Sequence, residues 1–193
     1  MASPTTLVLV RHGEIVRPVG TSNFDSAPLS PVGEQQVATL AHHWPAPRPE
    51  IVVSSDLPRA VQTARILGAI LGVSLDLRPS LREWTPDESD LSHGEFLALE
   101  ARCWDDLDFV PPSGETLRDA AGRIDRALRD LARSHRQGIV AVAGHGALFS
   151  LFATAIEGVR PTRALKDAVP FAGYAIVRYD GAFELVSGFR TIA

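Results

Sequence analysis

The stretch Thr5-Thr6-Leu7-Val8-Leu9-Val10-Arg11-His12-Gly13-Glu14 decides how the chain is interpreted. Its first residues are β-branched or apolar without alternation, which is typical of a strand buried on both faces in a parallel sheet. A charged and polar group follows at once. Because ligands of open α/β sheets bind at the carboxyl ends of the strands, we expect Arg11 and His12 at a binding edge.

A second stretch has the same form. Residues 139–143 are predicted to be another buried strand, and Gly144-His145-Gly146 follows it directly. Two histidines at the same sheet edge can share one pocket, so His12 and His145 are candidates for a common site. The glycines beside them are expected to let a ligand approach the backbone.

Strand-like and helix-like segments alternate along the rest of the chain. Ser30 and Asp56 are expected to cap the first two helices, and the residues around Asp180-Gly181-Ala182 predict a hairpin. The alternation predicts a single domain over 1–193, a three-layer α/β/α sandwich with a mostly parallel central sheet and a C-terminal edge hairpin. The predicted further strands are 51–53, 73–77, 174–179 and 183–186, and the predicted helices are 31–44, 57–72, 92–106, 115–136 and 147–157.

Composition and charge exclude several classes of function. The 193 residues carry 19 Lys and Arg against 23 Asp and Glu, a net charge of −4, which argues against a general nucleic-acid binder. An anion site must therefore be built locally. The single cysteine, Cys103, excludes an internal disulfide and a multi-cysteine metal site. The apolar run at 7–10 is too short for a signal-peptide core or a membrane span, so we expect a cytoplasmic protein without membrane contact.

Local groups for an anion site are present. Arg11 adjoins His12, and Arg59 lies near the start of the helix that follows the second strand. Guanidinium groups offer forked donors that suit phosphate oxygens, and helix N-termini add free amides. Glu83 follows the third strand beside Trp84, an arrangement in which a carboxyl group can serve as a proton donor.

Six pieces of the sequence, in the family's order and spacing from about residue 5 to 150, resemble the histidine phosphatase superfamily, whose fold is shared with cofactor-dependent phosphoglycerate mutases. The pieces are Arg11-His12-Gly13-Glu14; Pro28-Leu29-Ser30 with Gly33 and Gln35-Gln36; Ser54-Ser55-Asp56-Leu57-Pro58-Arg59-Ala60 with Gln62-Thr63-Ala64; Leu81-Arg82-Glu83; Ser113-Gly114-Glu115-Thr116; and Gly144-His145-Gly146.

The resemblance implies a role for each matching residue. His12 would be the nucleophile that forms a phosphohistidine, and Glu83 would protonate the leaving oxygen and then activate water. Arg11, Arg59 and His145 would bind the phosphoryl oxygens, and Ser22 aligns roughly with a further phosphoryl contact. The chemistry is reasonable because neutral imidazole is a competent nucleophile, and because phosphoryl transfer depends mainly on positioning and charge neutralisation. No metal or cofactor is expected.

Departures from the family pattern favour a hydrolase over a mutase. Mutase-like members usually continue the first motif with Thr or Ser and later Asn, whereas Ile15-Val16-Arg17-Pro18 stands here. A Glu-Gly pair common after the acid is replaced by residues 84–90, and the longer mutase insertions are absent. We therefore expect a phosphomonoesterase acting on small phosphorylated metabolites. A mutase, a phosphohistidine-protein phosphatase and a non-catalytic phosphate-binding module stay as alternatives.

Several assignments stay open from sequence alone. Asp87 or Glu88 is an alternative to Glu83 as the acid. Arg17 and His93 either touch substrate or are solvated loop residues, and specificity is expected in 17–26 and 84–112. Neither the substrate nor the oligomeric state can be deduced. Trp84 and Trp104 either line the cleft or cover the core.

Overall fold

The sheet of the computed structural model, which describes residues 3–19, 21, 23–87 and 91–192, has six strands in the order β3-β2-β4-β1-β5-β6. Strands β1 to β4 run parallel to one another, and β5 pairs antiparallel with β1 and β6. The predicted mostly parallel sheet with an edge hairpin is confirmed. The strands are β1 (Thr5–Arg11), β2 (Ile51–Ser54), β3 (Ser74–Leu77), β4 (Ile139–Gly144), β5 (Tyr174–Tyr179) and β6 (Phe183–Arg190).

Helices cover both faces of the sheet because the buried strands present apolar side chains on both sides. Leu7 and Leu9 of β1 face one core, built with helices α4 and α5, while Val8 and Val10 face another, built with α1 and α2. The predicted three layers are confirmed. The helices are α1 (Pro31–His42), α2 (Pro58–Leu71), α3 (His93–Asp105), α4 (Leu117–Ser134), α5 (Gly146–Glu157) and α6 (Arg163–Asp167), with a 3₁₀ turn at Pro79–Leu81.

Some helix boundaries were predicted correctly and others were wrong. The Ser30 hydroxyl accepts the Gly33 N–H at 3.0 Å and caps α1, as expected. Asp56 does not cap α2, because its carboxylate makes two bonds to Arg82 at 2.7 and 2.8 Å. Helix α4 begins later than predicted, since the Thr116 side chain caps it through the Asp119 N–H.

Two further features were not predicted. Helix α6 and the 3₁₀ turn have no counterpart among the predicted elements. The segment predicted as a long loop after β1 contains an antiparallel bridge between Ile15 and Leu29. Among the described residues, no helix combines the length and the apolar character that crossing a bilayer requires.

Candidate active site

The two histidines lie side by side because their strands are neighbours. In the parallel pairing of β1 with β4, Arg11 is opposite Gly144, and the His12 N–H donates to the Gly144 carbonyl at 3.0 Å. The next residue after Gly144 is His145. The two rings meet edge to face with their centroids 5.3 Å apart. The expectation that both histidines share one place at the sheet edge therefore matches the geometry.

His12 is held in one tautomer by its own loop. Its Nδ1 lies 2.8 Å from the Gly13 carbonyl, which can only accept, so Nδ1 carries the proton and donates. The side chain is 5% exposed. Burial, and then the positive charge of Arg59, lower the pKa of His12 well below its usual value. The ring is therefore neutral near pH 7, and Nε2 keeps its lone pair.

His145 is fully buried at the N-terminus of α5. Its Nε2 lies 2.8 Å from Ser55 Oγ, and that oxygen accepts the Leu57 N–H, so the serine hydrogen is available to the ring. This tautomer leaves the ring proton on Nδ1, which has no partner among the described residues. Burial, and then Arg59 and His12, lower the pKa of His145 well below its usual value.

Within the described ranges, Arg11 and Arg59 are oriented by backbone carbonyls and not by carboxylates. Arg11 donates to the Val169 carbonyl and stacks over the Phe171 ring, with Cζ 4.1 Å from the centroid. Arg59, which is 5% exposed, donates to the Phe24 carbonyl at 2.6 Å. A carbonyl orients a guanidinium without cancelling its charge. Burial lowers the pKa of both arginines, whereas the charge of Glu83 raises it.

Glu83 is fixed by backbone amides at the start of α5. Its Oε1 accepts the N–H groups of Trp84 at 3.0 Å and Leu148 at 3.2 Å, and its Oε2 accepts the Ala147 N–H at 3.0 Å. Glu83 is also the carboxylate that acts most strongly on the charges of both Arg11 and Arg59. The three backbone N–H groups thus fix the carboxylate where its charge acts on both arginines, and Oε2 retains a lone pair.

The glycines in these motifs make close approaches within the fold. A Cβ on Gly13 would lie 2.4 Å from the Gly33 carbonyl oxygen, and one on Gly144 would lie 2.6 Å from the Phe149 ring. A Cβ on Gly146 would lie 3.2 Å from the Arg11 guanidinium. The missing side chains therefore make room for the N-terminus of α1, for a core ring and for Arg11. That they also let a ligand approach the backbone stays a prediction.

Arg11, His12, Arg59 and Glu83 line a cleft of about 940 Å³. We call these four residues, together with the fully buried His145 whose ring centroid lies 5.3 Å from that of His12, the inner site. A second part of the lining, which we call the outer wall, is formed by Glu100 of α3 with Arg163, Lys166 and Asp167 of α6.

The outer wall is a network of ion pairs. Glu100 is 6% exposed and pairs with Lys166 at 2.7 Å and Arg163 at 3.3 Å. Lys166 also pairs with Asp167 at 3.0 Å. The sequence analysis named none of these residues individually, although Glu100 lies in the 84–112 segment expected to carry specificity. The available signal was Thr162, which caps α6 through the Leu165 N–H ahead of a run of helix formers.

The remaining candidate residues either line the cleft, belong to the core, or lie outside the described residues. Arg17 and His93 both line the cleft, and Trp84 lines it while also belonging to the core with Trp104. Asp87 lines the cleft too, and it accepts a bond from Ser113 Oγ at 2.6 Å. Ser22 and Glu88 lie outside the described residues. In the described part of the chain, no group of three or more His, Cys, Asp or Glu side chains is arranged to hold a metal ion.

Comparison with known proteins identifies a family over almost the whole chain. The family model of the histidine phosphatase superfamily (branch 1) matches residues 7–189. A probable phosphoglycerate mutase GpmB from Enterobacter sp. (strain 638) is 29% identical over 162 residues, which cover 78% of this chain and 74% of the relative. The probable phosphoglycerate mutase GpmB of Shigella boydii serotype 18 is 28% identical over 195 residues, covering 94% and 88%.

Two solved structures share the fold. A mycobacterial glucosyl-3-phosphoglycerate phosphatase superposes with a TM-score of 0.78 at 23% identity, over 95% of this chain and 97% of that one. The phosphoserine phosphatase of Entamoeba histolytica, solved in complex with 3-phosphoglyceric acid, gives 0.79 at 21% identity, over 97% and 98%. At these identities the likeness concerns the fold.

Proposed function

The chain belongs to the histidine phosphatase superfamily, and from this premise we propose that it hydrolyses small phosphomonoesters through a phosphohistidine formed on His12. The reaction would take place in a single unit spanning 1–193 and would need neither a metal nor a cofactor. The substrate would enter through the cleft with its phosphoryl group toward the inner site.

One observation carries the proposal. Two buried polar atoms, Arg11 Nε and His145 Nδ1, have no hydrogen-bond partner among the described residues, and both belong to side chains beside His12. An unpaired buried polar atom costs about 1–3 kcal/mol, so two of them at one place favour a ligand rich in acceptor oxygens. A phosphoryl group has such oxygens, and Arg59 adds a further cation.

In the first step, Nε2 of His12 attacks phosphorus while the bond from phosphorus to the alcohol oxygen breaks. The neutral imidazole is supported by burial of His12 and by its Nδ1 bond to the Gly13 carbonyl. Arg11, Arg59 and His145 donate to the equatorial oxygens, where charge is spread in the transition state. Glu83 gives its proton to the leaving oxygen and prevents the release of an alkoxide.

In the second step, water attacks phosphorus and the bond from phosphorus to Nε2 breaks. Glu83, now ionised, takes a proton from the water, and the electron pair of the broken bond returns to the imidazole. Inorganic phosphate leaves and the starting protonation states are restored. The same carboxyl group therefore acts as acid and then as base, which requires the fixed position that three backbone N–H groups give it.

The test is a single-turnover experiment with a ³²P-labelled phosphomonoester, quenched rapidly and separated on a gel. We expect label on the protein that is lost in acid and kept in base, as for a phosphohistidine. His12→Ala should form no labelled protein and should lose steady-state turnover by at least about 1,000-fold, because the covalent route is removed.

The matched control is His42→Ala, which changes an exposed histidine at the end of α1. It should label and turn over like the wild type. Full activity of His12→Ala would overturn the proposal. Loss of activity in excess chelator that a divalent metal restores would contradict the metal-free route.

A second candidate function follows from the relatives named as probable phosphoglycerate mutases. A mutase uses the same phosphoenzyme but returns the phosphoryl group to the substrate. Supplying 3-phosphoglycerate and following isomerisation against phosphate release separates the two. We expect phosphate release to dominate, because Ile15 and Pro18 stand where mutase-like members usually have polar residues.

A further inference from the structure

Most cations that line the cleft are neutralised by a carboxylate. Arg82 makes two bonds to Asp56 at 2.7 and 2.8 Å, and Arg123 makes a two-point ion pair with Glu115. Arg163 and Lys166 are paired within the outer wall. These four side chains are therefore already committed to partners within the protein.

Arg17 differs from every other Arg or Lys that lines the cleft. Over the described ranges 3–19, 21, 23–87 and 91–192, it is the one cation of the cleft for which the structure shows neither a hydrogen bond nor an ion pair. Its backbone is nevertheless positioned, because it follows Val16, whose N–H donates to the Pro28 carbonyl at 3.0 Å beside the Ile15–Leu29 bridge. Arg17 thus presents an uncancelled charge from an anchored segment.

The position of this charge relative to the inner site is indicated by its effect on neighbours. Arg17 is close enough to Arg11 for its charge to contribute to the lowered pKa of that guanidinium. Arg11, His12 and Arg17 all line the same cleft, so the charge of Arg17 borders the space that a substrate of the inner site would occupy.

We propose that Arg17 is a specificity-determining residue that binds a second anionic group, a carboxylate or a further phosphate, on the alcohol part of the substrate. The inference rests on the proposed function, because it assumes that Arg11 and Arg59 take the reacting phosphoryl group. Arg17 is then the cation left for the rest of the molecule. Its forked donors match the paired oxygens of a carboxylate or phosphate.

The experiment uses substrate pairs that differ in one anionic group. Phosphoserine and phosphoethanolamine differ by a carboxylate, and fructose 1,6-bisphosphate and fructose 6-phosphate differ by a phosphate. We expect the wild type to prefer one anionic member, and Arg17→Met to reduce kcat/KM for that member by about 10-fold to 100-fold, the range of a charge-assisted hydrogen bond. The matched partner substrate should change by less than about threefold, and Arg17→Lys should fall between.

Arg65→Met is the control, because it removes an exposed arginine of α2 that does not line the cleft. Its substrate preference should equal that of the wild type. An equal effect of Arg17→Met on both members of each pair, or no preference in the wild type, would overturn the assignment of Arg17.

Failure of this inference can be told apart from failure of the proposed function. Binding of the same pairs to His12→Ala, measured by calorimetry, does not depend on turnover. Tighter binding of the anionic member that Arg17→Met abolishes would support the role of Arg17 even if no phosphoenzyme forms. Equal binding of both members in the presence and absence of Arg17 would overturn it while leaving hydrolysis at His12 intact.

Discussion

The inner site and the outer wall both contain two basic side chains apart from histidine, yet they hold their charges in opposite ways. Arg11 and Arg59 donate to the carbonyls of Val169 and Phe24. Arg163 and Lys166 instead pair with the carboxylates of the outer wall, chiefly Glu100. Carbonyl partners fix direction and leave the charge for a ligand, whereas carboxylate partners cancel it. The availability of a cation therefore matters more than the number of cations.

The difference also explains what each region contributes to the structure. The outer wall joins α3 to α6 through the nearly buried Glu100, and the segment after α6 supplies the Val169 carbonyl and the Phe171 ring that orient Arg11. The paired region is thus a support for the unpaired one. The protein has a net charge of −4, yet the carbonyl partners of Arg11 and Arg59 leave positive charge uncancelled at the inner site.

The largest effect should come from removing a cation of the inner site. Arg59→Met takes away a charge that stabilises the transition state, and we expect kcat/KM to fall by about 1,000-fold or more. Lys166→Met on the outer wall should lower kcat/KM by less than about tenfold. It should also lower the free energy of unfolding by about 1–3 kcal/mol in urea titrations, because the nearly buried Glu100 loses its Lys166 partner. The loss is limited because Glu100 keeps its ion pair with the partly exposed Arg163. Similar catalytic losses in the two variants would contradict the distinction between the regions.

The next effect compares the carboxyl groups of Glu83 in the inner site and Glu100 in the outer wall. Glu83→Gln should slow an alkyl phosphate by about 100-fold or more and nitrophenyl phosphate far less, because nitrophenolate leaves without protonation. The amide also offers one fewer acceptor to the backbone N–H groups of α5, so stability is measured separately. Glu100→Gln makes the same chemical change on the outer wall and should alter both substrates equally. A constant ratio of the two rates in Glu83→Gln would exclude the acid role.

The inner site was largely accessible from the sequence because local patterns encode it. The continuous apolar runs that end at Arg11 and at Gly144 predict buried strands, and adjacent parallel strands bring the following histidines together. The start of α3 was equally readable, since Ser92 and Glu95 form a capping box. In each of these cases the interacting groups either lie close along the chain or are brought together by the parallel pairing of their strands.

The joining of Glu100 to α6 in the outer wall could not be predicted because these contacts link residues far apart in the chain. Glu100 and Lys166 are 66 residues apart, and the family motifs end at about residue 150, before α6 begins at Arg163. The predicted helix cap at Asp56 was wrong for a related reason. Asp is common at helix caps, but the Asp56 carboxylate instead accepts from Arg82, 26 residues away. The packing role of the glycines could not be predicted either, because Gly13 and Gly33 approach each other across the fold, which spacing does not reveal.

The smallest effect is a pH dependence of stability that comes from the histidines of the inner site. Burial and nearby arginines lower the pKa of His12 and His145 well below the ordinary value of about 6.5 that histidine has in the unfolded chain. As the pH falls below about 6.5, the unfolded chain binds protons that the folded chain does not, so the free energy of unfolding decreases. Each histidine contributes a slope of up to about 1.4 kcal/mol per pH unit.

Urea titrations of the ligand-free protein between pH 7.5 and 5.0 would measure this slope. His12→Gln and His145→Gln should each flatten it, whereas His42→Gln, at an exposed position on α1, serves as the matched control and should flatten it less. An unchanged slope in both inner-site variants would mean that His12 and His145 bind protons equally in the folded and unfolded chain, which would contradict the lowering of their pKa by burial and by nearby arginines.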